Sequence, residues 1–219
     1  TMRANIDIEY QIAEDGSASA KSTEIMRGTR ALIMRNFLTT LKNDDQKAQQ
    51  VIQNSLANSY GRIELKRLEN ENLEDKNSPL TMYYDFDIAS FAAPSDGQIE
   101  ILSRIFAYNL VKQYAPLPPE ERKFDVLIDS DIVSERTLTF HAPAGYTWQT
   151  DTLQDVSIDT PFGKFSRKMT LQGSDLQLSE SITILPQRVK SSQYADFRAF
   201  CLAVDEAQRT VLVMKKSFF

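Results

Sequence analysis

The chain has 219 residues, 42% of them hydrophobic and 25% charged, a composition typical of a globular protein that buries a sizeable core. Its net charge of −5, without a basic stripe, argues against a nucleic-acid partner. No uncharged apolar run approaches the ~20 residues of a membrane-spanning helix, so no membrane span is expected. The opening "TMRANIDIEY" is strand-like and carries no export signal, which suggests a fragment of a longer polypeptide.

The first half of the chain contains both strand and helix patterns. Apolar residues alternate over 6–12 and then meet Asp15-Gly16, which predicts a hairpin. Apolar residues at helical spacing predict helices over 29–41 and 44–57. Two further strands are predicted by the segments "YGRIELKRLEN" and "LTMYYDFDIASF".

Three prolines and a charge run occur together in "YAPLPPEERK" (114–123), the best candidate for an internal boundary. We therefore expect a hairpin, helix and strand subdomain over 1–115 and a β-rich subdomain over 117–219, each with its own sheet layer, although the two could pack as one unit. The second ends with a helix over 191–208 and the strand "TVLVMKK". Without regular βα alternation, the pattern predicts an α+β fold with mostly antiparallel, sandwich-like sheets, two helices in the first half and one C-terminal amphipathic helix.

The segment "KFSRKMTLQGSDLQLSESITIL" predicts a hairpin of defined register. A two-residue turn at Gly173-Ser174 places Arg167 directly opposite Glu180 on an otherwise apolar face. A slip of one residue would put the two charges on opposite faces. We therefore expect an ion pair between Arg167 and Glu180; the alternative is that both side chains reach water near a sheet edge.

Cys201, the only cysteine, lies in the middle of the predicted helix 191–208. On a helical wheel it falls within the apolar arc, whereas Arg198 and Asp205 lie largely outside it. A reactive thiol needs a nearby cation or helix N-terminus together with access to solvent. We therefore predict that Cys201 is a buried packing residue. The arc consists of Tyr194, Phe197, Phe200, Cys201, Val204 and Ala207.

The sequence predicts no catalytic, cofactor-binding or metal-binding set. A Cys–His pair would have to combine Cys201 with His141, the only histidine, and nothing in the sequence brings the two together. One Cys and one His cannot build a structural zinc site, and Asp129 and Asp131 lack the other ligands of a calcium loop. We therefore expect this chain to be no enzyme by itself. The aromatic "MYYDFD" could line a sugar platform, although strand aromatics more often pack in the core.

The C-terminal third resembles the closing segment of bacterial multidomain proteins that carry a transglutaminase-like core. The resemblance rests on "SSQYADFRAFCLAVDEAQRTVLVMKK", which has the family's tyrosine, Phe-Arg pair, Val-Asp and final apolar strand. The segment "APAGYTWQTDTLQDVSIDTPFGKFS" is similar to an upstream part of the same family, and "DGSASAKSTEIMRGTRALIMRNFL" to the region directly after the catalytic core. In this chain the matching residues are Tyr194, Phe197, Arg198, Val204, Asp205, Ala207 and the strand 210–214.

The resemblance implies a domain of unknown function that lies C-terminal to the transglutaminase-like core of an exported bacterial protein. The catalytic Cys, His and Asp of such a core match no position here, so the implied role is that of a non-catalytic accessory domain whose partners are the other domains of the same polypeptide. The alternatives are a β-rich module that binds a glycan or protein and, ranked last, an independent hydrolase. A concave groove lined by aromatic side chains would favour the binding module, and a flat apolar patch would favour docking on another domain.

Overall fold

The computed structural model describes residues 2–41, 44–102 and 107–217, and has the predicted α+β fold. The helices are α1 (Gly28–Thr40), α2 (Asp45–Tyr60), α3 (Leu110–Tyr114) and α4 (Tyr194–Ala207), the last preceded by a short 3-10 turn over Ser191–Gln193. The strands are β1 (Met2–Ile12), β2 (Ala18–Arg27), β3 (Ile63–Glu71), β4 (Leu80–Ile88), β5 (Ala93–Ser95), β6 (Gln98–Leu102), β7 (Val126–Ile128), β8 (Ile132–His141), β9 (Tyr146–Trp148), β10 (Val156–Thr160), β11 (Gly163–Gln172), β12 (Asp175–Ile184), β13 (Gln187–Val189) and β14 (Val211–Lys216).

Eight strands form the main sheet, in the order β10-β11-β12-β8-β1-β2-β4-β3. All neighbours are antiparallel except β1 and β8, which pair in parallel from Met2 with Ile132 to Gln11 with His141. The ranges 1–115 and 117–219 contribute four strands each and so share one sheet, which corrects the expectation of a separate sheet layer for each. Local patterns could not show this, because the β1–β8 pairing joins residues that are far apart in the chain.

Two smaller sheets complete the architecture. The first has the order β5-β6-β14-β9 and therefore brings the end of the chain beside residues 93–102. The second is a ribbon of β7 and β13, with Leu127 opposite Arg188. The helix α3 was not predicted, because five residues are too few to show a helical period.

One face of the main sheet, called here the inner face, is covered by helices and carries two hydrophobic cores. The larger core is built around Tyr10, which stacks on Phe91 and Phe140 at centroid distances of 4.6 and 5.3 Å. The smaller core lies between α4 and the ends of β11 and β12 and includes Phe165 and Ile182. Since alternate strand residues point to opposite faces, the other face of the sheet is polar.

The helix α1 is fixed to the loop between β3 and β4 by Arg35. Its guanidinium lies 2.7–3.2 Å from the carbonyl oxygens of Asn72, Leu73, Asp75 and Ser78. The side chain is 9% exposed, so these bonds replace water that a buried guanidinium has lost. Arg35 thereby joins α1 to four carbonyl groups of this loop, whose Leu73 side chain also packs against the larger core.

The register of the β11–β12 hairpin is confirmed. Phe165 pairs with Ile182, Arg167 with Glu180, and the strands turn through Gly173. The predicted hairpin at Asp15-Gly16 is also present, between β1 and β2.

Gly16 and Gly173 both lie in hairpin loops and both have a positive φ, but their surroundings differ, which makes a comparison of backbone strain possible. Gly16 has φ of +84°, and a Cβ atom there would lie 2.3 Å from the carbonyl oxygen of Ala92. We expect Gly16→Ala to lower the free energy of unfolding by more than about 2 kcal/mol, because left-handed strain and steric overlap add.

Gly173, with φ of +62° and no atom within 4 Å of a built Cβ, is the control. Gly173→Ala should cost only the strain of a left-handed residue, about 1 kcal/mol. Urea denaturation measures both values, and equal costs at the two positions would contradict the role of the Ala92 contact.

Candidate functional site

Three charged side chains form a row across the inner face of the main sheet. The strand alignments place Arg167 on β11 opposite Glu180 on β12, and Glu180 opposite Arg136 on β8. Arg167 is 3% exposed and Glu180 5%, so the charges are removed from water. The row separates the two hydrophobic cores.

The partner of Glu180 corrects the expected ion pair with Arg167. The carboxylate oxygen Oε2 accepts hydrogen bonds from Nε of Arg136 at 2.6 Å, from Nη2 of the same arginine, and from Nε2 of Gln208 at 3.1 Å. Arg167 instead donates from Nη1 to the carbonyl of Ala207 and from Nη2 to Oγ1 of Thr210 at 3.0 Å. The hairpin pattern in the sequence predicts only β11 as a neighbour of β12. The strand on the other side of β12 is β8, and its Arg136 forms the ion pair.

The sequence reasoning missed Arg136 and Gln208. A signal for Arg136 exists, because it alternates with Leu138 and Phe140, both buried, and therefore points to the same face. The contact from Gln208 has no comparable signal, since it joins the end of α4 to a strand 28 residues earlier.

The row holds two guanidinium groups for one carboxylate. Burial lowers the pKa of Arg167, the nearby charge of Arg136 adds to this, and the carboxylate of Glu180 opposes both. The ring of Tyr108 lies over Arg136 at 4.5 Å from its centroid, a favourable contact for a cation. Arg167 also has a buried Nε atom without a hydrogen-bond partner among the described residues.

The apolar arc of the C-terminal helix is buried except for Ala207, which is half-buried. Tyr194, Phe197, Cys201 and Val204 are all 0% exposed, in agreement with the helical-wheel prediction. Tyr194 also donates from its hydroxyl to the carbonyl of Leu117 at 2.9 Å and so holds the proline-rich segment against α4.

Asp205 corrects the same prediction, because it is 8% exposed rather than on the solvent side. Its carboxylate oxygens accept from the backbone amides of Leu110 at 2.8 Å and Val111 at 3.0 Å, at the start of α3. Arg198 is half-buried, and its Nε has no hydrogen-bond partner among the described residues. The helical wheel could not predict the burial of Asp205, because its carboxylate binds the start of α3, a helix that was not predicted and lies about 95 residues earlier in the chain.

Cys201 and His141 lie on different sides of the main sheet. Burial, together with the charge of Asp205, raises the pKa of the Cys201 thiol to about 12. His141 is half-buried at the end of β8, and its Nδ1 lies 2.9 Å from Oδ1 of Asp175 on the polar face. The structure therefore does not bring the two residues together.

The polar face of the sheet forms a shallow trough of about 610 Å³. Its floor is rich in hydroxyl groups, with Asp7 and Glu135 near the middle and Lys168 towards one end. Burial raises the pKa of Asp7, and the nearby Glu9 adds to the shift. None of the described residues that line the trough is aromatic.

Neither a metal-binding cluster nor a membrane-spanning helix occurs in the described part of the chain. Within residues 2–41, 44–102 and 107–217, no three His, Cys, Asp or Glu side chains lie close enough together to hold a metal ion. In the same ranges no helix has both the length and the hydropathy to cross a bilayer.

The structure is an α+β fold whose mixed main sheet carries a buried row of charged side chains on its inner face. Residues 99–214, more than half of the chain, match the model of a family described as a domain of unknown function with a solved structure, DUF3858. The chain belongs to this family.

Other comparisons add little to the family match. A crystal structure described as a "putative protease" from Parabacteroides distasonis ATCC 8503 has 28% sequence identity and a TM-score of 0.38. The match covers 43% of this chain and 18% of that chain, well under two thirds of its length. No curated protein matches the chain.

The burial of Cys201 predicts its reactivity. Since its thiol stays protonated up to a pH of about 12, an aromatic disulfide reagent at pH 8 should label the folded protein at least ~100-fold more slowly than the protein in guanidinium chloride. Absorbance of the released thiolate measures both rates. Rapid stoichiometric labelling of the folded protein would contradict this placement.

The row of charges predicts a hierarchy of coupling free energies. A double-mutant cycle of Arg136→Met and Glu180→Gln should give a coupling of about 2–3 kcal/mol, and the cycle of Arg167→Met with Glu180→Gln less than about 1 kcal/mol. Arg209 and Glu206, an exposed pair at 2.6 Å, form the control, which we expect near about 0.3–0.5 kcal/mol. Urea denaturation provides the free energies, and a larger coupling for Arg167 than for Arg136 would contradict the observed pairing.

Proposed function

We propose that this chain is a non-catalytic accessory domain that packs against a transglutaminase-like catalytic core in a longer polypeptide. The sequence resemblance supports this proposal, as does membership of a family without an assigned activity. One structural observation carries it: a group of large apolar side chains is exposed around the β7–β13 ribbon. Phe124 is 78% exposed, Leu127 67% and Leu185 60%.

The three side chains are spread along the two strands. We call Phe124, Leu127, Leu185 and the strands β7 and β13 the apolar ribbon. Phe124 lies two residues before β7 and Leu185 two residues before β13, so in this antiparallel pair they flank opposite ends, with Leu127 between them. A hydrophobic group of this kind is typical of a surface that another protein covers. The opposite side of the ribbon packs against the smaller core through the buried side chains of Val126, Ile128 and Val189.

The alternative is a binding module that uses the trough on the polar face. The trough is concave and rich in hydroxyl groups, which suits a polar extended ligand. However, sugar-binding grooves commonly offer aromatic side chains for stacking, and the described lining has none. We therefore rank docking through the apolar ribbon above glycan binding.

An independent hydrolase is the candidate function that we rank last. It would need two carboxylates with different pKa values, held at a defined separation in a cleft. Asp7 has the raised pKa of a candidate acid, but Glu135, the other central carboxylate of the trough, accepts a hydrogen bond from Asn5 at 3.0 Å. We propose that the chain has no hydrolytic activity by itself and that its parent is an exported bacterial protein, as the resemblance implies.

Docking through the apolar ribbon predicts a difference in amide exchange between the isolated chain and the full-length parent protein. The backbone amides of β7 and β13 should exchange at least ~10-fold more slowly in the parent, because the transglutaminase-like domain covers them. Leu127→Asp should abolish this extra protection and leave the stability of the isolated chain within about 0.5 kcal/mol.

Leu32→Asp, at a residue of α1 that is 52% exposed, is the matched control. It should leave the protection of the ribbon unchanged. Equal exchange rates in the isolated chain and the parent, or a loss of protection with Leu32→Asp alone, would show that the ribbon is not the docking surface.

A further inference from the structure

A cavity of about 370 Å³ lies between the inner face of the main sheet and the helices α1 and α2. None of its lining residues belongs to the apolar ribbon, so a ligand could occupy it whether or not the ribbon docks on another domain. Ser55 and Ser59 of α2 line the cavity and are exposed, so its mouth opens beside that helix. The volume is within the range of sites that hold small ligands.

One part of the cavity wall is apolar. Ile8 and Leu138 of the sheet, together with Ile52 of α2, line it and belong to the larger hydrophobic core. A ligand in contact with these side chains would be stabilised by each methylene group that it removes from water.

The other part of the wall carries polar groups that converge on the cavity. Arg136 binds Glu180 through Nε and Nη2, which leaves Nη1 without a hydrogen-bond partner among the described residues. The Tyr84 side chain also lines the cavity. The remaining charged groups of the lining, Glu24 and Arg30, neutralise each other through a hydrogen bond of 2.7 Å.

The charge balance of this wall favours an anion. The charged residues that line the cavity are Glu24, Arg30 and Arg136, so the lining has one positive charge in excess, and Glu180, the partner of Arg136, is not part of it. A bound anion would give Arg136 a second charged partner, on the side of the guanidinium that lines the cavity. A guanidinium is also the side chain best suited to bind a carboxylate.

We propose that this cavity binds a small amphipathic carboxylate, with the aliphatic chain against Ile8 and Leu138 and the carboxylate on Nη1 of Arg136. The ligand is a monocarboxylate whose chain is of medium length, since the cavity accommodates a small molecule and not a long lipid. Binding is non-covalent and leaves the ion pair of Arg136 with Glu180 intact.

Octanoate is the probe, and octylammonium, which has the same chain length and the opposite charge, is its control. Isothermal titration of the folded chain should show one octanoate site, with an affinity at least 10-fold higher than that for octylammonium. Equal affinities for the two probes, or no octanoate binding at 10 mM, would overturn the proposal.

Variants then locate the site. Ser55→Phe fills the mouth and should weaken octanoate binding at least 10-fold, whereas Asn54→Phe, at the adjacent exposed position that does not line the cavity, should not. Arg136→Lys keeps a charge for Glu180 but cannot serve both carboxylates, so it should also weaken binding at least 10-fold. Octanoate binding that is unaffected by Ser55→Phe would place the ligand elsewhere and refute the assignment.

Discussion

The carboxylate of Glu180 is the interaction on which the arrangement of the two cores depends. It joins β12 to β8 through Arg136 and joins both strands to the end of α4 through Gln208. Arg167 continues the connection, because it binds the carbonyl of Ala207 at the end of α4 and the side chain of Thr210 just before β14. Apolar contact alone would let α4 slide along the inner face, since hydrophobic packing is not directional. Hydrogen bonds from Gln208 to Glu180 and from Arg167 to the Ala207 carbonyl fix one position, because a displacement of α4 would leave buried polar groups without these partners.

The position of α4 in turn determines the structure at both of its ends. At its first residue, the Tyr194 hydroxyl holds the carbonyl of Leu117, and in its last turn Asp205 binds the first amides of α3. The chain leaves α4 directly into β14, which pairs with β6 and β9. Tyr194 and Asp205, two of the residues that carry the sequence resemblance, therefore connect α4 to distant segments. This explains how a helix with no reactive group can contain so many polar residues in defined positions.

The sequence predicts well those features that depend on neighbouring residues and poorly those that depend on distant ones. The strand register that places Arg167 opposite Glu180 follows from a two-residue turn, and the burial of Cys201 follows from the helical period. By contrast, Arg136 reaches Glu180 across 44 residues, and Asp205 reaches Leu110 across 95. Periodicity indicates which face a side chain occupies but not which strand lies beside it. The ion pair was therefore assigned to the correct face and the wrong arginine. The cavity beside Arg136 could not be predicted at all, because its walls come from the sheet and from α2.

The buried polar side chains stabilise the fold, and this limits which substitutions can be used to test function in this domain. Glu180, Arg167 and Asp205 are each less than a tenth exposed, and each already has partners in the fold. Substituting them changes the free energy of unfolding, so a lost activity in such a variant would not identify a functional residue. Function has to be sought at groups whose removal leaves the polar row intact. Those groups are the exposed side chains of the apolar ribbon, the hydroxyl-lined trough, and the rim of the inner cavity. The cavity lies nearest to the polar row, because Arg136, which joins β8 to Glu180, also lines its wall.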